Sequence, residues 1–145
     1  MYFVFDLDGT LSDQTHRQPL IDAEKQDWDA YYAAAHADPV IKPIAMIARS
    51  LSVSGHRVEI WTGRSDVVRE ETAVWLFNHG IMYHRLRMRE HGDHTPDYSL
   101  KLEWLNNLKY EGLPKPDAVF EDRTRVVEMY RAVGIPCLQV AKGDY

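Results

Sequence analysis

Residues 1–13, MYFVFDLDGTLSD, begin with an apolar run, Tyr2 to Phe5, that stops at two aspartates one residue apart, Asp6 and Asp8, before Gly9 and Thr10. A short apolar run bounded by turn residues reads as a buried strand. Alternation along a strand points Asp6 and Asp8 the same way and turns Leu7 inward between them. A turn needs one such side chain. Two carboxylates together call for a partner that compensates their charge.

Outward from this stretch, the same kind of run recurs as RVEIW (57–61), DAVF (117–120) and CLQVA (137–141), with YHRLRM (83–88) as a weaker strand. Helical stripes lie between them. Ile44, Ile47, Ala48 and Leu51 are followed by Gly55 as a terminator, and Val126, Met129, Tyr130 and Val133 by Gly134. Val67, Val74, Phe77 and Ile81 mark another stripe, and Leu100, Trp104, Leu105 and Leu108 a fourth. Strands alternating with helices predict βαβ units: an α/β fold with a central parallel sheet of about five strands flanked by helices. In such sheets ligands bind beyond the carboxyl ends of the strands. The polar residues just after the strands are Asp6 and Asp8, then Thr62, Gly63 and Arg64, then Glu121 and Asp122.

A length of 145 residues predicts one domain, 1–145, with an ordinary core. Residues 18–42 interrupt the alternation with a helical insertion carrying Trp28, Tyr31, Tyr32 and Ala35, either a small lid over the strand ends or an extra helix on the sheet edge. The aromatics at that spacing fit core packing first and base stacking second. With 45% hydrophobic and 27% charged residues, the composition is that of a globular chain. The lone Cys137 fits a reducing compartment, and with no transmembrane-length run or signal pattern the expectation is cytoplasmic, with no membrane partner. A formal charge of −5 argues against nucleic-acid binding by bulk electrostatics. It leaves room for a local basic site. Arg85, Arg87 and Arg89 share one face of an extended segment, which reads first as a solvated strand face.

Carboxylates converging at one sheet edge repel unless a cation or proton intervenes. A hard divalent ion with oxygen ligands, most simply Mg²⁺, suits them, and Mg²⁺ is commonly completed by phosphate oxygens. A phosphoryl group in turn needs donors: the Thr62 hydroxyl, backbone N–H groups after Gly63, and a lysine. Lys101 is the candidate, because Asp97 four residues earlier in PDYSLK can pair with it on one helical face. Asp97 also suits the helix N-cap, and the two roles are compatible. In HGDH, His91, Asp93 and His94 lack further ligands at zinc spacing and read as loop residues at a substrate entrance.

DLDGT, WTGR, a downstream lysine and ED, in that order and each at a strand end or helix start, resemble the four motifs of the haloacid dehalogenase (HAD) superfamily of phosphohydrolases. The resemblance implies a Rossmann-like HAD fold with minimal or no cap, Asp6 as nucleophile and Asp8 as general acid/base. It further implies Mg²⁺ held by the Asp6 carboxylate, the Asp8 backbone carbonyl and Asp122. An aspartyl-phosphate splits one hard displacement into two easier ones, with Asp8 moving the proton in each.

EDRTRVVEMYRAVGIPCLQVAKGDY and MREHGDHTPDYSLK are similar to the 3′-phosphatase domains of bacteriophage polynucleotide kinase/phosphatases, and DLDGTLSDQTHR places Arg17 where that family carries an arginine. The resemblance implies Thr62, Gly63, Arg64, Arg17 and Asp97 around the phosphate, Lys101 in catalysis, and Glu121 beside the metal without direct contact. The expected function is removal of a 3′-phosphate from DNA or RNA ends. Phosphatase action on free nucleotides or other small phosphomonoesters is the alternative, and a non-catalytic module that binds phosphorylated ends is a third. No GxxxxGK[ST] loop occurs, so 5′ phosphorylation would fall to a separate kinase, with a ligase as a further partner.

Overall fold

The structure is a computed structural model and describes residues 1–22, 24 and 26–143. Its strands are β1 (Tyr2–Phe5), β2 (Arg57–Ser65), β3 (Arg85–Arg89), β4 (Ala118–Arg123) and β5 (Cys137–Gly143). The helices are α1 (Pro19–Asp22), α2 (Trp28–Ala33), α3 (Lys42–Val53), α4 (Arg69–Asn78), α5 (Asp97–Asn107) and α6 (Thr124–Ala132). Every strand pair is parallel, in the order β3-β2-β1-β4-β5. The architecture is the expected Rossmann-like α/β sandwich, a five-stranded parallel sheet flanked by helices.

Period-2 alternation explains the two core layers. Phe5, Val58, Ile60, Leu86 and Phe120 face one side and pack on Ala45 and Ala48 of α3 and Trp75 and Leu76 of α4. Tyr2, Val4, Trp61 and Val119 face the other and meet Leu105 of α5 and Val126, Val127 and Tyr130 of α6. Across the β1–β4 ladder the Phe5 and Phe120 rings stack 4.3 Å apart. Each such fully buried side chain contributes about 1.5–3 kcal/mol. The order reverses at β1: the chain proceeds from it to β2 on one side and returns to β4 on the other. That switch point is where the crevice opens, and the first residue beyond β1 is Asp6.

Several elements differ from expectation. Strand β2 runs on to Ser65 and β4 to Arg123, so Thr62–Arg64 and Glu121–Asp122 lie within strands, not after them. Pairing resumes beyond an irregularity in each ladder, Ser65 with Arg89 and Arg123 with Gly143. The stripe assigned to α4 is displaced. Val74 is 57% exposed and Phe77 83% exposed, while Thr72, Trp75 and Leu76 are buried. The cause is the 3₁₀ turn Asp66–Val68, which puts Val67 before the helix and shifts its phase. On α3, likewise, Ala45 and Ala48 are the deep positions and Ile47 is 39% exposed.

The arginines of β3 are not a freely solvated face. Arg85 and Arg87 each lie 2.5 Å from Glu111, and Arg87 sits over the Trp61 ring at 5.0 Å. Arg89 donates to the carbonyls of Gly63 and Thr95 at 2.9 and 2.5 Å. Within 18–42, α1 and α2 are short, and the aromatic stripe passes from α2 into a 3₁₀ turn, Ala34–Ala37. Residues 23 and 25 of that segment lie outside the described residues. Among the described residues no helix is long and apolar enough to cross a membrane.

Candidate active site

Asp6 is anchored by its own N–H, which donates to the Phe120 carbonyl at 2.9 Å and ties the end of β1 to β4. Beyond it the chain turns sharply: the N–H groups of Leu11 and Ser12 both donate to the Leu7 carbonyl at 2.9 Å. Gly9 takes a φ of +90°, which a residue with a Cβ rarely adopts. Leu7 is fully buried, so the turn is pinned to the core while Asp6 and Asp8 face the crevice.

Lys101 projects from α5 to the buried side of Asp6. Its Nζ lies 2.6 Å from Asp6, 2.8 Å from Glu121 and 3.3 Å from Asp97. These carboxylates hold the ammonium group charged, against the effect of its burial. Asp97 is the first residue of α5, with Pro96 at the N-cap position, and its carboxylate turns to Lys101 and to Arg89 and Arg123 at 3.5 and 3.7 Å. A Cβ on Gly63 would collide with that carboxylate, so glycine lets β2 pass there without displacing Asp97.

Asp6, Glu121 and Asp122 form a buried cluster in which one oxygen from each lies within 4.8 Å of the others. Burial first, and then Glu121, push Asp6 up to about 8, with Lys101 opposing. Glu121 is pushed up to about 7 by its own burial and by Asp97 and Asp122. The donor set is all oxygen, buried and short of positive charge, which fits a hard divalent cation. Glu121 is already engaged by Lys101 and by the N–H groups of Asp122 and Arg123 at 3.1 and 3.2 Å. Asp122 is closely backed by β5: a Cβ on Gly143 would sit 2.7 Å from its carbonyl oxygen. The N-cap position of α6 falls on Arg123, not on Asp122.

Asp8 stands apart from this cluster. Its carboxylate accepts from Arg17 at 2.5 Å and from both Nε and Nη2 of Arg64, the former at 3.3 Å. These guanidinium groups, outweighing the effect of burial, hold Asp8 well below the usual carboxylate range. Arg64 lines the open crevice, whereas Arg17 is 1% exposed and lies beneath Asp8. Thr62 Oγ1 accepts from the Arg64 N–H at 3.1 Å.

Asp38 escaped notice in the sequence. It grips Arg17 Nε and Nη2 at 2.9 and 2.8 Å, lies 3.4 Å from Arg64, and is met by His16 Nε2 at 2.8 Å. The Tyr31 ring lies under the Arg17 guanidinium at 4.1 Å. Two buried arginines facing one aspartate need a second counter-charge, and that imbalance was the available signal. Gly143 carried no signal, because its role exists only across strands.

The crevice is about 550 Å³ and is lined by Asp6, Asp8, Thr62, Gly63, Arg64 and Asp97 on one side. The α2 aromatics and the loop His91–Pro96 complete its walls. A HAD-like hydrolase of Streptococcus pneumoniae has the same fold, with a TM-score of 0.66 and 17% identity over 95% of this chain and 83% of its own. A family model that matches the whole chain sets the class: this is a HAD-type phosphatase, an enzyme of phosphomonoester hydrolysis. Within that class, the model of the polynucleotide kinase PNKP phosphatase domain matches residues 1–145, and the chain belongs to that family.

A chain in the structure of a Pnkp1/Rnl/Hen1 RNA repair complex superposes with a TM-score of 0.83 and 31% identity, over 99% of this chain and 43% of the other. A protein of Autographa californica nuclear polyhedrosis virus, provisionally named a bifunctional polynucleotide kinase/RNA ligase, is 28% identical over 97% of this chain and 19% of its own length. The chain thus spans less than half the length of either relative.

Proposed function

We propose that this phosphatase removes 3′-phosphates from polynucleotide ends through an aspartyl-phosphate on Asp6. The observation that carries the reading is the double position of Asp6, which belongs to the buried carboxylate cluster and also lines the open crevice. Asp6, Asp122 and the Asp8 carbonyl would hold Mg²⁺, with Glu121 kept behind them by Lys101. When bound, Mg²⁺ offsets negative charge on the phosphate and the carboxylates. Lys101 and the Thr62 hydroxyl bind phosphoryl oxygens, and Arg64 lies within reach of the same group.

In the first step Asp6 forms a bond to phosphorus, the bond to the 3′ oxygen breaks, and Asp8 delivers a proton to that oxygen. In the second, Asp8 takes a proton from the attacking water as the water oxygen bonds to phosphorus and the Asp6–phosphorus bond breaks, which releases inorganic phosphate and the free Asp6 carboxylate. The arginines hold Asp8 ionised beforehand, so its donor role requires it first to take up a proton from solvent as Arg64 turns from Asp8 to the incoming phosphate; in later turnovers the proton taken from water in the second step serves. Arg17, buried between Asp8 and Asp38, positions Asp8 and does not touch substrate. The larger relatives favour operation beside a kinase or ligase module.

A nucleotidase is the second reading, favoured by a crevice of about 550 Å³, the size of a small-molecule site. The discriminating experiment compares a 3′-phosphorylated oligonucleotide, its 5′-phosphorylated counterpart and free mononucleotides, each with Mg²⁺ and with chelator. Turnover of the 3′-phosphorylated oligomer in Mg²⁺ alone is expected to be fastest; faster turnover of mononucleotides overturns the end-processing reading. Asp6→Asn is expected to abolish turnover with the circular-dichroism spectrum retained. Near-normal rates in that variant remove Asp6 as nucleophile.

A further inference from the structure

The α2 wall of the crevice has features that the phosphoryl chemistry leaves unused. Tyr31 is 6% exposed and is committed to Arg17. Its neighbours are not so committed. Trp28 is 44% exposed although it carries the largest apolar side chain available, and Tyr32 is only half-buried. Both line the crevice, with ring centroids 6.0 Å apart and planes inclined by 31°. Tyr32 shares the crevice lining with Asp8, Arg89 and Arg123. The helix is held by its cap, Asp27 accepting from the Ala30 N–H at 2.9 Å, so the rings stand on a fixed support.

Charge excludes the other common way of holding a nucleic-acid end. Carboxylates in the crevice wall outnumber the guanidinium groups of Arg64, Arg89 and Arg123 two to one. A polyanionic backbone is not drawn into such a site by counterion release, which needs clustered cations. An exposed aromatic face needs no such charge. Stacking on it holds an unpaired base of any identity. The volume of about 550 Å³ suits one nucleoside phosphate.

We infer that Trp28 and Tyr32 form a stacking platform for the unpaired base of the nucleotide whose 3′-phosphate is at Asp6. The inference rests on the 3′-phosphatase reading and specifies how the leaving nucleoside is recognised: by the face of its base, not by its backbone. A terminal base still stacked in a duplex has its faces covered, so the platform selects frayed or single-stranded ends.

The test uses the whole chain with Mg²⁺ and two 3′-phosphorylated oligonucleotides that differ only in whether the terminal nucleotide carries a base or is abasic. The ratio of kcat/KM for the base-bearing over the abasic substrate is expected to fall by about 5- to 150-fold in Trp28→Ala, the range that corresponds to loss of one base–aromatic stack. Trp28→Phe should recover most of it. A wild-type ratio near one, or a ratio unchanged in Trp28→Ala, overturns the platform while leaving the 3′-phosphatase reading in place. Hydrolysis of mononucleotides but of neither oligonucleotide overturns both.

A second measurement leaves Trp28 in place. In the Asp6→Asn chain, the base-bearing oligomer should quench tryptophan fluorescence and the abasic one should not, because Trp61, Trp75 and Trp104 do not line the crevice. Equal quenching by the two also counts against the platform.

Discussion

Asp38 shows how much of the site hangs on a single side chain outside every motif. Its carboxylate is fully buried and joins Arg17, Arg64 and His16, and its carbonyl accepts from Trp75 Nε1 at 2.9 Å. Arg17 and Arg64 in turn hold Asp8. Breaking one side of a buried ion pair leaves a charge without compensation, at a cost of about 3–5 kcal/mol. Asp38→Ala is therefore expected to lower stability by about 3 kcal/mol in urea unfolding and to reduce turnover, because both arginines lose their anchor. A loss under about 1 kcal/mol would show that Asp38 does not anchor them. At Lys101 the balance is opposite in sign: one ammonium group faces Asp6, Asp97 and Glu121. Lys101→Met would leave those carboxylates crowded together, and the fold should then depend on divalent cation, read as a melting temperature that falls sharply when chelator is added.

Helix α4 gives the clearest test at the level of an element. Its phase is set by the 3₁₀ turn before it, which turns Trp75 and Leu76 inward and leaves Phe77 outward. Phe77→Ser should change stability by no more than about 0.5 kcal/mol, as surface substitutions generally do. Trp75→Ala should cost about 3–5 kcal/mol from the cavity alone and also remove the donor to Asp38. A comparable loss from both substitutions would restore the phase expected from the Val67–Val74–Phe77 spacing. Gly63 belongs at this scale too, since the strand β2 and the helix α5 meet there. Gly63→Ala should push Asp97 from Lys101 and lower kcat/KM, with circular dichroism showing the sheet intact; an unchanged kcat/KM would remove that contact from the mechanism.

For the molecule as a whole, the carboxylate cluster links stability to pH and to cations. Asp6 is raised to about 8 and Glu121 to about 7 in the folded chain, against roughly 4 for both groups in the unfolded one. The folded state therefore binds more protons between these values, and stability declines as pH rises from about 4 to about 8. Groups held low, such as Asp8 and Asp97, act only in more acid solution. Metal-free protein should accordingly melt at a lower temperature at pH 8.5 than at pH 5.5. Added Mg²⁺ should raise the melting temperature more at pH 8.5, where proton competition is weakest. A melting temperature that rises with pH and ignores Mg²⁺ would contradict this account of the cluster.

Local pattern was enough for the alternation of strands and helices, the parallel sheet, and the placement of Asp6, Asp8, Thr62, Arg64, Lys101 and Asp122 near strand ends or on the next helix. These depend on periodicity and on chain order, which a sequence carries explicitly. The Asp97–Lys101 pair was legible for the same reason, being a contact within one helical turn. Contacts between distant segments were not. Asp38 meets Arg17 and Arg64 across 21 and 26 positions, Gly143 abuts Asp122 only because β5 pairs with β4, and Arg85 and Arg87 find Glu111 at 24 to 26 residues' remove. Such pairings arise when packing brings charges out of water and each must find a counter-charge, a requirement that spacing along the chain does not encode. The sequence by itself determined which groups are candidates for the chemistry, because motif and chain order are written in it; tertiary structure alone decided which of their charges are compensated and which wall of the crevice stays open, because both depend on contacts between distant segments.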